Sequence, residues 1–166
     1  MTLNGCIETF PKELKLLITA FIIVLSVGFY TGLLFVSETS SNSPDGIEEQ
    51  YLGNEEDLEA NVMKFKKNEH QMLTLVHGHI LSMSIIFFLT GLILVTTRLN
   101  YRLKLFLLVE PFISIILTFG GIYLLWKGVI WFKYVIMLSG MAMVFSLVLM
   151  SALVIWCCAF PKRIDA

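Results

Sequence analysis

The sequence predicts an all-α membrane protein: a four-transmembrane-helix up-down bundle with a partly helical extracytoplasmic loop. Three observations carry this prediction. First, 57% of the 166 residues are hydrophobic and 15% are charged, against about 45–50% and about 25% in a soluble domain. A chain this small has too much surface for its volume to hide so many apolar groups from water. Second, the apolar residues fall in four long runs, and a helix needs roughly 20 residues to cross about 30 Å of hydrocarbon. Third, the roughly 10-residue alternating segments of a membrane barrel are missing. Each run must then satisfy its own backbone groups as a helix. A soluble domain, a disordered chain and a disulfide scaffold are excluded.

The first run extends without a charge from Leu16 to Ser37, between Lys15 and Glu38. It is longer than the about 7–15 residues of a signal-peptide core, and the sequence after it is a poor cleavage context. It therefore reads as an uncleaved anchor. Its Gly28-x-x-x-Gly32 spacing suits close helix packing. The second run extends from Gln71 to Thr97, between His70 and Arg98. The third extends from Leu105 to Trp126, between Lys104 and Lys127, and is interrupted by Glu110. The fourth extends from Tyr134 to Pro161, between Lys133 and Lys162. Each is long enough to span. The expected spans are 14–37, 71–97, 104–126 and 133–158, in a single membrane domain over 1–166.

Orientation follows from the basic residues at the helix ends. One face holds seven (Lys12, Lys15, Arg98, Arg102, Lys104, Lys162, Arg163) and the other five (Lys64, Lys66, Lys67, Lys127, Lys133). All three arginines lie on the first, so both termini are expected in the cytoplasm. Tyr123, Trp126, Trp131, Phe132 and Tyr134 would form an outer interfacial belt, with Tyr101 and Trp156 near the inner one. Cys6, Cys157 and Cys158 all fall on the inner side, where a reducing compartment keeps thiols free. The compact chain, without eukaryotic sorting signals, favours a bacterial inner membrane.

The segment 38–70 is the one long loop. Nine acids against three lysines give it a net charge of −6, and the rest of the chain carries +5. These acids read as a solvated face, because no EF-hand spacing is present. Ser41-Asn42-Ser43-Pro44-Asp45-Gly46 is turn chemistry, with Gly46 expected to relieve a turn dihedral. Asn54 is expected to cap a short helix with Asp57 at its third position. Leu58, Val62 and Met63 would pack this cap on the bundle or the membrane surface.

Ionisable residues inside a bilayer are costly and so are candidate functional residues. There are three: His77, His79 and Glu110. At about 100° per residue, His77 and His79 point to nearly opposite helix faces. His70, His77, Ser84 and Gly91 form one stripe, and His79, Met83, Ile86 and Thr90 another. The second span is therefore expected to take a central place in the bundle or in an oligomer. At the depth of the histidines the fourth span offers Met137 and Met141, and the third offers Gly120-Gly121. Histidine with methionine is a ligand set for haem iron or copper. The candidate cofactor-binding residues are thus His77, His79, Met137 and Met141, with haem b or copper as the group; a quinone headgroup or proton handling is a further reading for His77 and His79. The bland reading is that His77 and His79 hydrogen-bond to neighbouring backbone or Ser/Thr groups. Glu110 precedes Pro111, which predicts a kink or a helix start there. An ion pair from Glu110 to Arg98 or Arg102, or a proton relay along Ser114, Thr118 and Gly121, are the readings for this residue.

P-loop, dinucleotide, zincin and serine-elbow motifs do not occur, and no basic patch suits nucleic acid. The expected function is a non-enzymatic accessory, assembly or interaction subunit, in contact with lipid and with other membrane subunits or copies of itself. A haem- or metal-binding redox protein is the alternative, and an oligomeric proton or ion pathway a further one.

Overall fold

The computed structural model describes residues 6–55 and 62–160, and these are all helix and connections. Helix α1 spans Lys12–Ser40, α2 Pro44–Leu52 and α3 Glu69–Val95. Helix α4 (Tyr101–Ile115) runs through a wide π-turn at Ile116–Gly120 into α5 (Gly121–Trp126), and α6 spans Phe132–Ala159. Helices α1, α3, the continuous α4–α5 span and α6 are long and apolar enough to cross a membrane. The end of the bundle that carries the α1–α3 connection is the loop end, and the other is the terminal end.

Local chemistry sets the boundaries. Asn68 and Gln71 form a reciprocal capping box at the start of α3, which satisfies two amides that the helix cannot. Asn100 caps α4 through the Arg102 amide at 2.9 Å. Pro111 does not start a new helix. It lies inside α4, and the departure from regular geometry comes one turn later, in the π-turn. Glu110 therefore sits mid-helix and not at a positive helix end.

Helix α6 occupies the middle: it packs against α1, α3 and the α4–α5 span. Within the chain the central place thus falls to α6 and not to the second span, since α3 packs closely, among the described residues, on the α4–α5 span and α6. Helix α1 is peripheral, with 11% of its apolar window buried against 44% in the α4–α5 span. Its Gly28 and Gly32 face open space, so their spacing does not serve packing within the chain.

The cap at the loop end differs from the expectation at its turn. Its described helix, α2, is capped by Ser43, whose hydroxyl accepts from the Gly46 amide at 3.0 Å. Ser41 and Asn42 take the left-handed turn conformations, while Gly46 is helical. Gly46 is needed for closeness instead: a Cβ there would meet the Ser40 carbonyl oxygen at 1.9 Å. The helix that Asn54 is expected to cap lies outside the described residues. The Asn54 side chain bonds the Val62 carbonyl at 3.0 Å and the Lys64 amide at 2.6 Å, closing the loop on itself. Asp57 and Leu58 lie outside the described residues, and Val62 and Met63 are exposed, which leaves the membrane surface and not the bundle as the place they could pack.

Charge fastens the cap down. The Lys133 ammonium, at the start of α6, donates to Asp45 at 2.7 Å and Glu48 at 2.8 Å, both on α2. Lys64 donates to the Thr39 carbonyl at 2.9 Å and pairs with Glu49 at 3.6 Å. Part of the acidic loop is thus a clamp as well as a solvated face, since Asp45 stays 81% exposed. Tyr51 packs against the core, and burial pushes its phenol up to about 12.

Candidate functional site

Two groups of polar residues lie within the spans, and the fold treats them oppositely.

The first is a seam between the α4–α5 span and α6. Glu110 is half-buried, and both of its carboxyl oxygens accept hydroxyls. Ser114, one turn along α4, donates to Oε1 at 2.5 Å, and Ser146 of α6 donates to Oε2. Two turns on, the Thr118 and Ser139 hydroxyls meet at 2.7 Å. The Ser139 hydroxyl also lies 2.7 Å from the Val135 carbonyl. Ser114, Thr118, Ser139 and Ser146 are all buried. In hydrocarbon an unpaired polar group costs several kcal/mol, so the stripe on one helix requires the stripe on the other. The expected pair from Glu110 to Arg98 or Arg102 does not form. Arg98 is held by Glu8 at 3.4 Å in the N-terminal turn, and hydroxyls within reach satisfy Glu110 instead.

The second group is on α3. Its buried residues are Met72, Phe87, Thr90, Gly91 and Leu94, four of the five toward the terminal end. There Gly91 brings the helix close to Leu108 of α4. Toward the loop end the helix stands half open. Gln71, Thr74, His77, Gly78, His79 and Ser82 are all exposed. The two histidine stripes therefore do not behave uniformly. Each is open at its histidine and closed at Gly91 or Thr90.

His79 has two contacts. Its Nδ1 lies 2.8 Å from the Leu75 carbonyl, and its ring lies 4.9 Å from that of Phe119 in the π-turn. A carbonyl only accepts, so Nδ1 carries the proton and Nε2 is the ring nitrogen left for a further partner. Met137 is partly buried against the core and Met141 is 53% exposed. Helices α3 and α6 are neighbours, so the two residue pairs lie on adjacent helices. Among the described residues, no three His, Cys, Asp or Glu side chains group together as a metal site.

Sequence reasoning missed Ser139 and Ser146. The signal was available in their heptad spacing on one face of the fourth span, opposite the stripe Glu110, Ser114 and Thr118.

No curated protein and no solved structure matches the chain. A family model described as a transmembrane helical domain, Aq_1264_TM, matches residues 41–165. That match begins where α1 ends and takes in the cap, α3, the α4–α5 span and α6. This integral membrane protein therefore belongs to the Aq_1264_TM family of transmembrane helical domains.

Proposed function

We propose that the chain is a non-enzymatic helical subunit of a larger membrane assembly, and that the loop-end half of α3 meets its protein partner. One observation carries the reading: His77, with Thr74, Gly78 and Ser82 on neighbouring turns, is exposed on the outside of the bundle at membrane depth. Ionisable residues in a span face the interior of a bundle or pair with one another. Here the interior is closed without His77, so a helix from another chain supplies the cover. Gly78, beside which no atom lies within 4 Å, lets that helix come close. The bias of arginines toward the terminal end supports a cytoplasmic location for both termini.

The test is the size of the assembly extracted in mild detergent. Wild type should migrate as a complex larger than one chain, and Thr74→Leu/His77→Leu should reduce it to the single chain. A single-chain wild type, or a variant that keeps the complex, contradicts the reading.

A second reading is favoured by the free Nε2 of His79 and the exposed thioether of Met141 on the adjacent helix. A nitrogen and a sulfur donor suit copper(I) or haem iron, with Met137 as the alternative sulfur and His77, on the opposite helix face, as the alternative nitrogen. Metal analysis and a visible spectrum of the purified assembly test it. Stoichiometric copper or a Soret band lost in His79→Ala supports it; a colourless, metal-free assembly contradicts it.

A further inference from the structure

We propose that the loop end carries a binding site for one anionic phospholipid, with the headgroup between Lys66 and Lys127 and an acyl chain in the groove below them. Two features in register support this. The first is cationic. Lys127 lies 4.6 Å above the centre of the Trp126 ring and Lys66 5.7 Å from it, so one indole carries two ammonium groups. Trp126 is itself fixed, because its Nε1 donates to the Lys67 carbonyl at 2.7 Å. The only carboxylate pairing with Lys127 among the described residues is Glu69, at 3.8 Å and 63% exposed, an arrangement worth little in water. The other titratable groups at the start of α3 are Lys67 and His70.

The second feature is apolar. A groove of about 530 Å³ opens between α3 and the α4–α5 span where α3 stands away from the bundle. Leu73 and Val76 form one wall, Leu117 and Leu124 the other, and Gly120 is open at the bottom. Tyr123 joins the two features: its ring lines the groove, and Lys127 lies 5.4 Å above that ring. Phe65, next to Lys66 in the chain, is 68% exposed, an apolar side chain available to lipid. Cations over an apolar groove match the charge and shape of an anionic lipid. A zwitterionic lipid would fit the groove but not the charge.

The experiment is native mass spectrometry of the protein released from vesicles of equal parts phosphatidylglycerol and phosphatidylcholine. Wild type should retain one phosphatidylglycerol. Each lysine near the headgroup contributes roughly fivefold, so Lys66→Gln/Lys127→Gln should lower the preference for phosphatidylglycerol about 25-fold. Lys66→Arg/Lys127→Arg should keep it. Gly120→Phe, whose Cβ would meet no atom within 4 Å, should fill the groove and abolish retention of either lipid, with an unchanged helical circular dichroism spectrum showing that it folds. Equal retention of the two lipids, an unchanged preference in the glutamine variant, or full retention in Gly120→Phe would overturn the proposal. Displacement of the lipid by inorganic phosphate would assign the lysines to a free anion and overturn it too.

Discussion

The Glu110 seam and the His77 face are both polar surfaces at membrane depth, yet one is closed by the chain itself and the other is not. Along the seam, every hydroxyl of Ser114, Thr118, Ser139 and Ser146 has a partner, and Glu110 has two. On α3, His77, Thr74 and Ser82 are turned away from all neighbouring helices. The two surfaces serve different ends. A satisfied seam holds two helices in register, since a one-residue slip would strand its donors. An unsatisfied face has no role inside the chain and is kept for something outside it. The same contrast appears at the glycines. Gly91 lies against Leu108, whereas Gly78, Gly28 and Gly32 lie against nothing.

Breaking the seam should do the most damage. Glu110→Ala leaves two buried hydroxyls without their acceptor and should cost about 1–3 kcal/mol, read as a lower thermal midpoint in detergent. Ser146→Ala removes one donor while Ser114 still serves Glu110. It should cost less, about 0.6 kcal/mol, the average for interhelical hydrogen bonds in membranes. Thr118→Val acts at the second contact of the seam and should cost less again. It keeps the shape, and the Ser139 hydroxyl still has the Val135 carbonyl at 2.7 Å, so its midpoint should fall less than that of Ser146→Ala. His77→Leu should change the stability of the isolated chain least, by less than about 0.5 kcal/mol, because no contact within the chain is lost. If His77→Leu destabilised the isolated chain as much as Glu110→Ala, the contrast between the two regions would fail.

Much of the fold is legible in the sequence. The charge brackets predict a fourth span over 133–158, and it runs Phe132–Ala159; they predict a third over 104–126, and it runs Tyr101–Trp126. The cost of burying a charge in hydrocarbon makes such brackets dependable. The α3 start is less legible, since the capping box of Asn68 and Gln71 draws the helix out past His70. Which face of each helix meets which neighbour cannot be read from the chain. Glu110 and Ser146 are 36 positions apart, and a hydroxyl is a common residue in any span. An arginine partner for Glu110 is reasonable by charge but not by reach, because Arg98 is committed to Glu8. Gly46 reads as a turn residue for a similar reason: composition shows a glycine, and only packing shows the Ser40 carbonyl beside it.

Cover of the loop-end face of α3 by another protein can be tested in native membranes. A photo-crosslinking side chain is placed at position 77, with position 148 on the exposed face of α6 as a reference. A discrete protein adduct from position 77 and only lipid adducts from position 148 are expected. Lipid adducts alone from both positions would contradict a protein partner at this face.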